Sequence, residues 1–278
     1  MSYTTRVTAQ AYHDGLQRPP PGGRPRAYKT DGLVLRAYRM RDADRLVTVL
    51  TPSLGKLKLT VRGARRLTSK LGGHLDVLNR AHLAIAIGHT FDVVTGAESA
   101  ESFAGVKADL SRLAEALYLM ELADLLLPEA APHPAAYALL LDALRALEAG
   151  RSPVSVARHT ELGLLRDAGF MPELHSCVMC RREIEPERHR YVAAMGGVVC
   201  DECPAPASGV LPLSVDALKV LRHFAERGVA EATHVALAGM VRDELETALG
   251  ASVRYVLERE PHTAGFVERV AHLRERGA

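Results

Sequence analysis

Three segments in the first third of the chain decide its fold: 32-GLVLRAY-38, 45-RLVTVLT-51 and 56-KLKLTVR-62. Apolar residues alternate with polar ones in each of them, as half-buried β-strands require. Two more apolar runs follow, 77-VLNRAHLAIAI-87 and 91-FDVVT-95, and glycine or proline punctuates the gaps. Five short strands within about 70 residues predict a small closed β-barrel of the oligonucleotide-binding (OB) type, although the count alone also fits other small β domains.

The apolar period changes to that of helices from Leu110 onward and stops at Pro128. Further helices are predicted over residues 134–149, 153–168, 215–227 and 241–259, several of them opened by serine or proline and closed by glycine. The predicted fold is therefore an α+β multidomain protein, in which the barrel precedes an α-helical domain. Its predicted parts are an N-terminal extension over residues 1–26, an OB-fold DNA-binding domain over 27–100 and a helical domain over 101–278, with a zinc-finger insert at about 174–206.

Two Cys-x2-Cys pairs form the most specific motif in the chain. Cys177 and Cys180 make the first pair, Cys200 and Cys203 the second, and 19 residues separate them. This spacing is typical of a four-thiolate zinc site, in which the intervening segment returns as a hairpin. Four thiolates fill the tetrahedron, so one structural zinc ion is predicted rather than a catalytic one. His175 is an alternative ligand. Two disulfides or a redox dithiol are the other interpretations; a cytoplasmic chain disfavours disulfides, and a redox site needs only one Cys-x2-Cys pair.

Positive charge is concentrated between Arg45 and Leu75, where seven basic residues occur without any acid. Alternation places Lys56, Lys58 and Arg62 on one face of a strand, and a loop follows them. A basic face beside such a loop is suited to a phosphate backbone, whereas an ordinary solvated face is the competing interpretation. The candidate DNA-binding residues are Lys56, Lys58, Arg62, Arg65, Arg66 and Lys70, with Arg36 and Arg45 added from the neighbouring strands.

Composition and missing motifs exclude several other classes. The chain has 278 residues, of which 47% are hydrophobic, and its formal net charge is only +2. No membrane span or secretion signal is visible, which makes the cytoplasm the expected compartment. No phosphate-binding loop, nucleophile elbow or His-Glu-x-x-His motif occurs, so we predict no enzymatic activity and no catalytic residues.

The order and spacing of several segments resemble the RecO family of bacterial recombination-repair mediators. In the barrel region the resemblance rests on TDGLVLRAYRMRDADRLVTVLTPSLGKLKLTVRGARR, residues 30–66. In the second region it rests on residues 101–129, ESFAGVKADLSRLAEALYLMELADLLLPE, and then on GFMPELHSCVMC and GGVVCDEC around the cysteines. Two departures are the long N-terminal extension and Arg181, which stands where a glycine often follows the second cysteine.

The resemblance implies a role in DNA repair, DNA recombination and the response to DNA damage. It implies ATP-independent binding of single- and double-stranded DNA and annealing of complementary strands. It also implies partners: RecR, with which RecA is loaded onto DNA coated by single-strand-binding protein (SSB), and a location at the bacterial nucleoid during repair. Two alternatives stay open at this point, a zinc-ribbon transcription or translation factor whose basic barrel binds RNA, and a nuclease or other hydrolase with an unrecognised metal site.

Overall fold

A computed structural model describes residues 27–40, 43–64, 71–129, 131–185, 188–237 and 239–277. Five strands form a closed barrel, as predicted. They are β1 (Ala27–Arg39), β2 (Arg45–Thr51), β3 (Gly55–Val61), β4 (Arg80–Ala86) and β5 (Asp92–Glu101). The order around the barrel is β1-β2-β3-β5-β4, and β1 pairs with β4 to close it. All these pairings are antiparallel except that of β3 with β5, which is parallel and joins Leu59 and Thr60 to Asp92 and Val93.

Alternation along β2 and β3 fills the barrel. Val47 and Val49 of β2 lie against Leu57 and Leu59 of β3 in the ladder, and all four are buried in the same apolar core. Side chains of opposite parity therefore point out of the barrel. Val61 ends this inward row, and Ala64 and Leu75 extend the core. Burying such a row is what fixes the register, because a slip of one residue would turn every apolar side chain outward.

The chain divides into two compact units, and the barrel unit is not one continuous segment. It consists of the described residues up to Ser102 together with Leu127–Tyr137. The returning segment lies against the start of β3, where Glu129 forms a parallel bridge with Lys56. Gly55 has a φ of 71°, and a Cβ there would come within 2.3 Å of the Ala131 carbonyl oxygen. Glycine is therefore required at this contact.

The second unit contains residues 103–126 and the described residues after 137. Its helices are α1 (Ala104–Ala108), α2 (Leu110–Leu126), α3 (Pro134–Glu148, whose first turn belongs to the barrel unit), α4 (Pro153–Asp167), α5 (Val215–Glu226), α6 (Val229–Ala232), α7 (Gly239–Leu257) and α8 (Ala264–Gly277). Ser152 and Ser214 cap α4 and α5, as the sequence predicts, by accepting hydrogen bonds from the backbone N–H groups of Ser155 and Ala217. Helices α1, α6 and α8 were not predicted.

A small antiparallel sheet carries the cysteine segment. Strand β6 (His189–Val192) pairs with β7 (Gly197–Cys200) and with β8 (Val210–Leu211). A 3-10 turn over Ala193–Met195 joins β6 to β7 and ends at Gly196, whose φ is 78°. This is the hairpin that the 19-residue interval predicts. In the part of the chain that the structure describes, no helix has the length and apolar character needed to cross a membrane.

Candidate functional site

The four cysteines come together in the second unit. Their Sγ atoms all lie within 4.8 Å of one another, and those of Cys180 and Cys200 are 3.8 Å apart. A tetrahedral zinc ion with Zn–S bonds of about 2.3 Å would place its sulfur ligands about 3.8 Å apart. The cluster therefore has the dimensions and the donor set of a closed structural zinc site. His175 is exposed and is not one of the clustered ligands.

Backbone hydrogen bonds set the shape of the first turn, which we call the first knuckle (Cys177–Arg182). Arg181 donates its N–H to the carbonyl of Cys177 at 2.9 Å, and Cys177 donates its own N–H to the carbonyl of Arg182 at 2.8 Å. Arg181 has a φ of 64°, in the left-handed region that glycine occupies most easily. This explains why the arginine at this position is unusual: the turn needs a left-handed residue there, and an L side chain is strained in that conformation.

Arg190 of β6 holds the second turn, the second knuckle (Cys200–Cys203). Its Nη2 donates to the carbonyls of Cys200 and Cys203, each at 2.9 Å. Strand β7, which leads into this turn, packs closely against Glu173. Only glycine fits at position 197, because a Cβ there would lie 2.2 Å from the Glu173 carbonyl oxygen. Sequence reasoning missed Arg190, since no spacing rule connects an arginine in a strand with carbonyls ten residues later.

The electrostatics of the cluster favour a bound cation. Burial opposes ionisation of Cys177, but N–H groups of Cys180, Cys200 and Met179 outweigh it and lower the pKa of Cys177 to about 6. The neighbouring Cys200 sulfur, together with burial, raises the pKa of Cys203 to about 12. Cys177 thus ionises readily while Cys203 resists ionisation, because a second thiolate would lie close to the first. A divalent cation among the sulfurs removes this conflict and allows all four to bind as thiolates.

The predicted basic strand face is only partly open. Lys56 and Lys58 do point outward between the inward residues Leu57 and Leu59, as their parity predicts. Lys56, however, is only 5% exposed, since the returning segment runs beside it. The Lys58 side chain is 41% exposed, and its ammonium forms an ion pair with Glu129 of the same segment. Parity identified the outward face but could not show that residues some 70 positions later lie over it.

Arg36 and Arg62 extend this face on either side. Arg36 of β1 is opposite Thr48 of β2, which in turn is opposite Lys58 of β3, so the three share one outward row. The guanidinium of Arg36 lies over the ring of Tyr38, 4.4 Å from its centroid, and that ring is 43% exposed. Arg62 follows β3, is exposed, and has no ion-pair partner among the residues that the structure describes.

The remaining basic candidates are in different situations. Arg45 donates to Asp76 at 3.1 Å and to the Gly72 carbonyl at 3.2 Å, so it also braces a loop. Arg65, Arg66 and Lys70 lie outside the described residues.

Comparisons with known proteins cover nearly the whole chain. The family profile described as "Recombination protein O N terminal" matches residues 26–103, and "Recombination protein O C terminal" matches residues 107–264. A protein of Dehalococcoides mccartyi named DNA repair protein RecO is 34% identical over 86% of this chain and 94% of its own length. Proteins of the same name from Roseiflexus and Anaeromyxobacter are 34% and 36% identical, over 90% and 88% of this chain and 88% and 97% of their own lengths.

Proposed function

Because this chain belongs to the RecO family of DNA repair proteins, we propose that it acts without ATP as a DNA-binding mediator and not as an enzyme. The observation that carries the proposal is the outward face of β1–β3, which carries Arg36, Lys58 and the exposed Arg62, together with the 43% exposed ring of Tyr38 beside Arg36. Cations neutralise phosphates, and an exposed aromatic ring offers a surface on which a base can stack. The face between strands β2 and β3 is also where OB barrels commonly bind oligonucleotides.

We assign the DNA-binding domain to residues 27–100 and the contacts to Arg36, Arg45, Lys58 and Arg62, and also to Arg65, Arg66 and Lys70, which follow in the sequence. Lys56 lies on the same outward face of β3 but contributes charge from a buried position. Binding of this kind contacts backbone and stacked bases, so it does not depend on sequence. It would also lower the repulsion between two complementary strands while their pairing edges stay free, which supports annealing.

The four cysteines are proposed to hold one zinc ion, which would cross-link the two knuckles and so stabilise the β6–β7 hairpin. The family further supports RecR and SSB as protein partners and the loading of RecA onto SSB-coated DNA as the outcome. Loading would follow if the mediator holds single-stranded DNA while SSB is exchanged.

The test measures binding of the whole protein to a labelled single-stranded oligonucleotide across a salt series without ATP, and then adds the complementary strand. We expect the affinity to fall by about 0.7 decade per decade of salt for each phosphate neutralised, and annealing to accelerate. An RNA oligonucleotide of equal length serves as competitor. Flat, weak binding without annealing would contradict the proposal, and a clear preference for RNA would favour the RNA-binding alternative.

Co-elution with purified RecR, and RecA filament formation on SSB-coated DNA with and without RecR, test the partners separately. If the protein anneals DNA but neither co-elutes with RecR nor promotes RecA filament formation, the DNA-binding proposal stands and the loading role is refuted.

A further inference from the structure

A cavity of about 620 Å³ opens among helices α2, α4, α7 and α8 of the second unit, away from the cysteine cluster. Cavities of this size are in the range that binds ligands. Small and apolar residues, among them Ala114, Val154, Gly250 and Val267, line part of its wall. The buried end carries charge, because Glu115 and Arg158 also line it and both are more than 90% buried.

Two glutamates share the single guanidinium at this buried end. Arg158 lies 3.0 Å from an oxygen of Glu161, whose other oxygen accepts a hydrogen bond from the Tyr118 hydroxyl at 2.7 Å. Glu115 lies farther from this guanidinium. Its Oε2 is 3.7 Å from Arg158 and accepts no hydrogen bond from any described residue. Glu161 Oε2 and Arg158 Nε likewise have no hydrogen-bond partner among the described residues, so this buried charge cluster is incompletely satisfied, which is costly.

The other charged side chains that line the cavity add both acidic and basic groups. Arg242 and Arg254 line the cavity but are paired with Asp243 and Glu260. Glu246 and Glu268 line it too, and neither has an ion-pair partner among the described residues. Burial raises the pKa of Glu115 to about 7, although the nearby Arg158 acts to lower it, and the negative charges of Glu246 and Glu161 add to the rise. Four glutamates and three arginines line the cavity, so acidic side chains outnumber basic ones there.

We propose that this cavity binds an arginine side chain of a partner protein, with the guanidinium against Glu115 and the aliphatic stem along the apolar wall. A planar guanidinium can donate to two carboxylates at once, so it could bind Glu115 and Glu246 together, which a point-like ammonium does less well. This assignment does not rest on DNA binding by the barrel.

The test uses saturation-transfer NMR with the whole protein and three small probes: blocked arginine (N-acetyl-arginine amide), the neutral isostere N-acetyl-citrulline amide, and putrescine. For a ligand of this size we expect a Kd of about 1 mM for blocked arginine and at least about tenfold weaker binding of the citrulline probe, since one charged contact is worth a factor of ten or more. Equal binding of arginine and citrulline would overturn the proposal. Putrescine that binds more tightly than arginine and displaces it would also overturn it, in favour of a free diamine.

Two variants locate the site. Glu115→Gln keeps the shape of the side chain but removes its charge, and Ala271→Leu fills the cavity from α8 without altering any charge. Each should weaken arginine binding at least about tenfold, whereas Glu226→Gln, at an exposed glutamate at the end of α5, should leave it unchanged. Melting curves show whether Glu115→Gln folds. If it does not, Ala271→Leu decides alone, and unchanged arginine binding in that variant would refute the site.

Discussion

The cysteine cluster and the outer face of strands β1–β3 are built on different plans. The cluster takes its ligands from two short turns, each closed by its own backbone hydrogen bonds, and Arg190 holds the second of them. The strand face takes its groups from three strands, and the segment around Glu129 lies over part of it, so that Lys56 is buried and Lys58 is paired. A site closed by local turns therefore keeps all its members together, whereas a site spread over a sheet loses members to whatever packs on that sheet.

The largest effect is expected from breaking the cluster itself. The double variant Cys180→Ser with Cys203→Ser removes one ligand from each knuckle, so zinc should fall from one ion per chain to background. Because a structural zinc ion contributes on the order of 10 kcal/mol to the fold of its segment, amide exchange over residues 189–200 should rise steeply. Metal analysis and hydrogen exchange measure both effects. His175→Ala is the control and should retain zinc; stoichiometric zinc in the double variant would refute the site.

The strand face is tested by two substitutions that differ in exposure. Arg62→Glu should weaken single-stranded DNA binding about five- to tenfold near 0.1 M salt and reduce the magnitude of the salt slope by about 0.7, as expected when a phosphate contact is lost. Lys56→Met should change the affinity by less than about twofold, because the ammonium does not reach an open surface. Fluorescence anisotropy measures both. A loss at Lys56 as large as that at Arg62 would contradict the distinction between open and covered members of the row.

A smaller gain is expected from releasing Lys58. Glu129→Gln removes the carboxylate that pairs with Lys58, and the freed cation should raise DNA affinity about two- to threefold, the scale of one exposed ion pair. Adding Lys58→Met to this variant should abolish the gain, which makes a double-mutant cycle that isolates the pair. A gain that survives without Lys58 would show that Glu129 acts through general charge repulsion.

The smallest effect concerns the strained residue of the first knuckle. Arg181→Gly should stabilise the zinc-loaded protein by about 0.5–1 kcal/mol, since glycine adopts a positive φ without steric cost. Met179→Gly is the matched control in the same turn, at a residue that has no positive φ, and it should destabilise by a similar amount. Thermal denaturation of the zinc-loaded proteins compares them. Shifts of the same sign in both variants would contradict the assigned strain.

These differences also show what the sequence could predict. The barrel and the main helices were predictable because each is a local pattern, a period of two or of 3.6 residues closed by glycine, proline or serine. The cysteine cluster was predictable because its turns are local too. The burial of Lys56 was not, since it depends on Glu129 and Ala131, which are far away in sequence. The burial of Glu115 beside a cavity could not be predicted for the same reason, because the residues around it come from helices spread over more than 150 residues of sequence.

The return of Leu127–Tyr137 to the barrel unit has a consequence for how the chain is made. A ribosome releases the protein from its N-terminus at about 5–20 residues per second, so all five strands emerge before the segment that rests on Gly55 and Lys56. During that interval the nascent barrel exposes the start of β3. A fragment cut after residue 100 would stay permanently in that unfinished condition, and a workable truncation should extend through Tyr137.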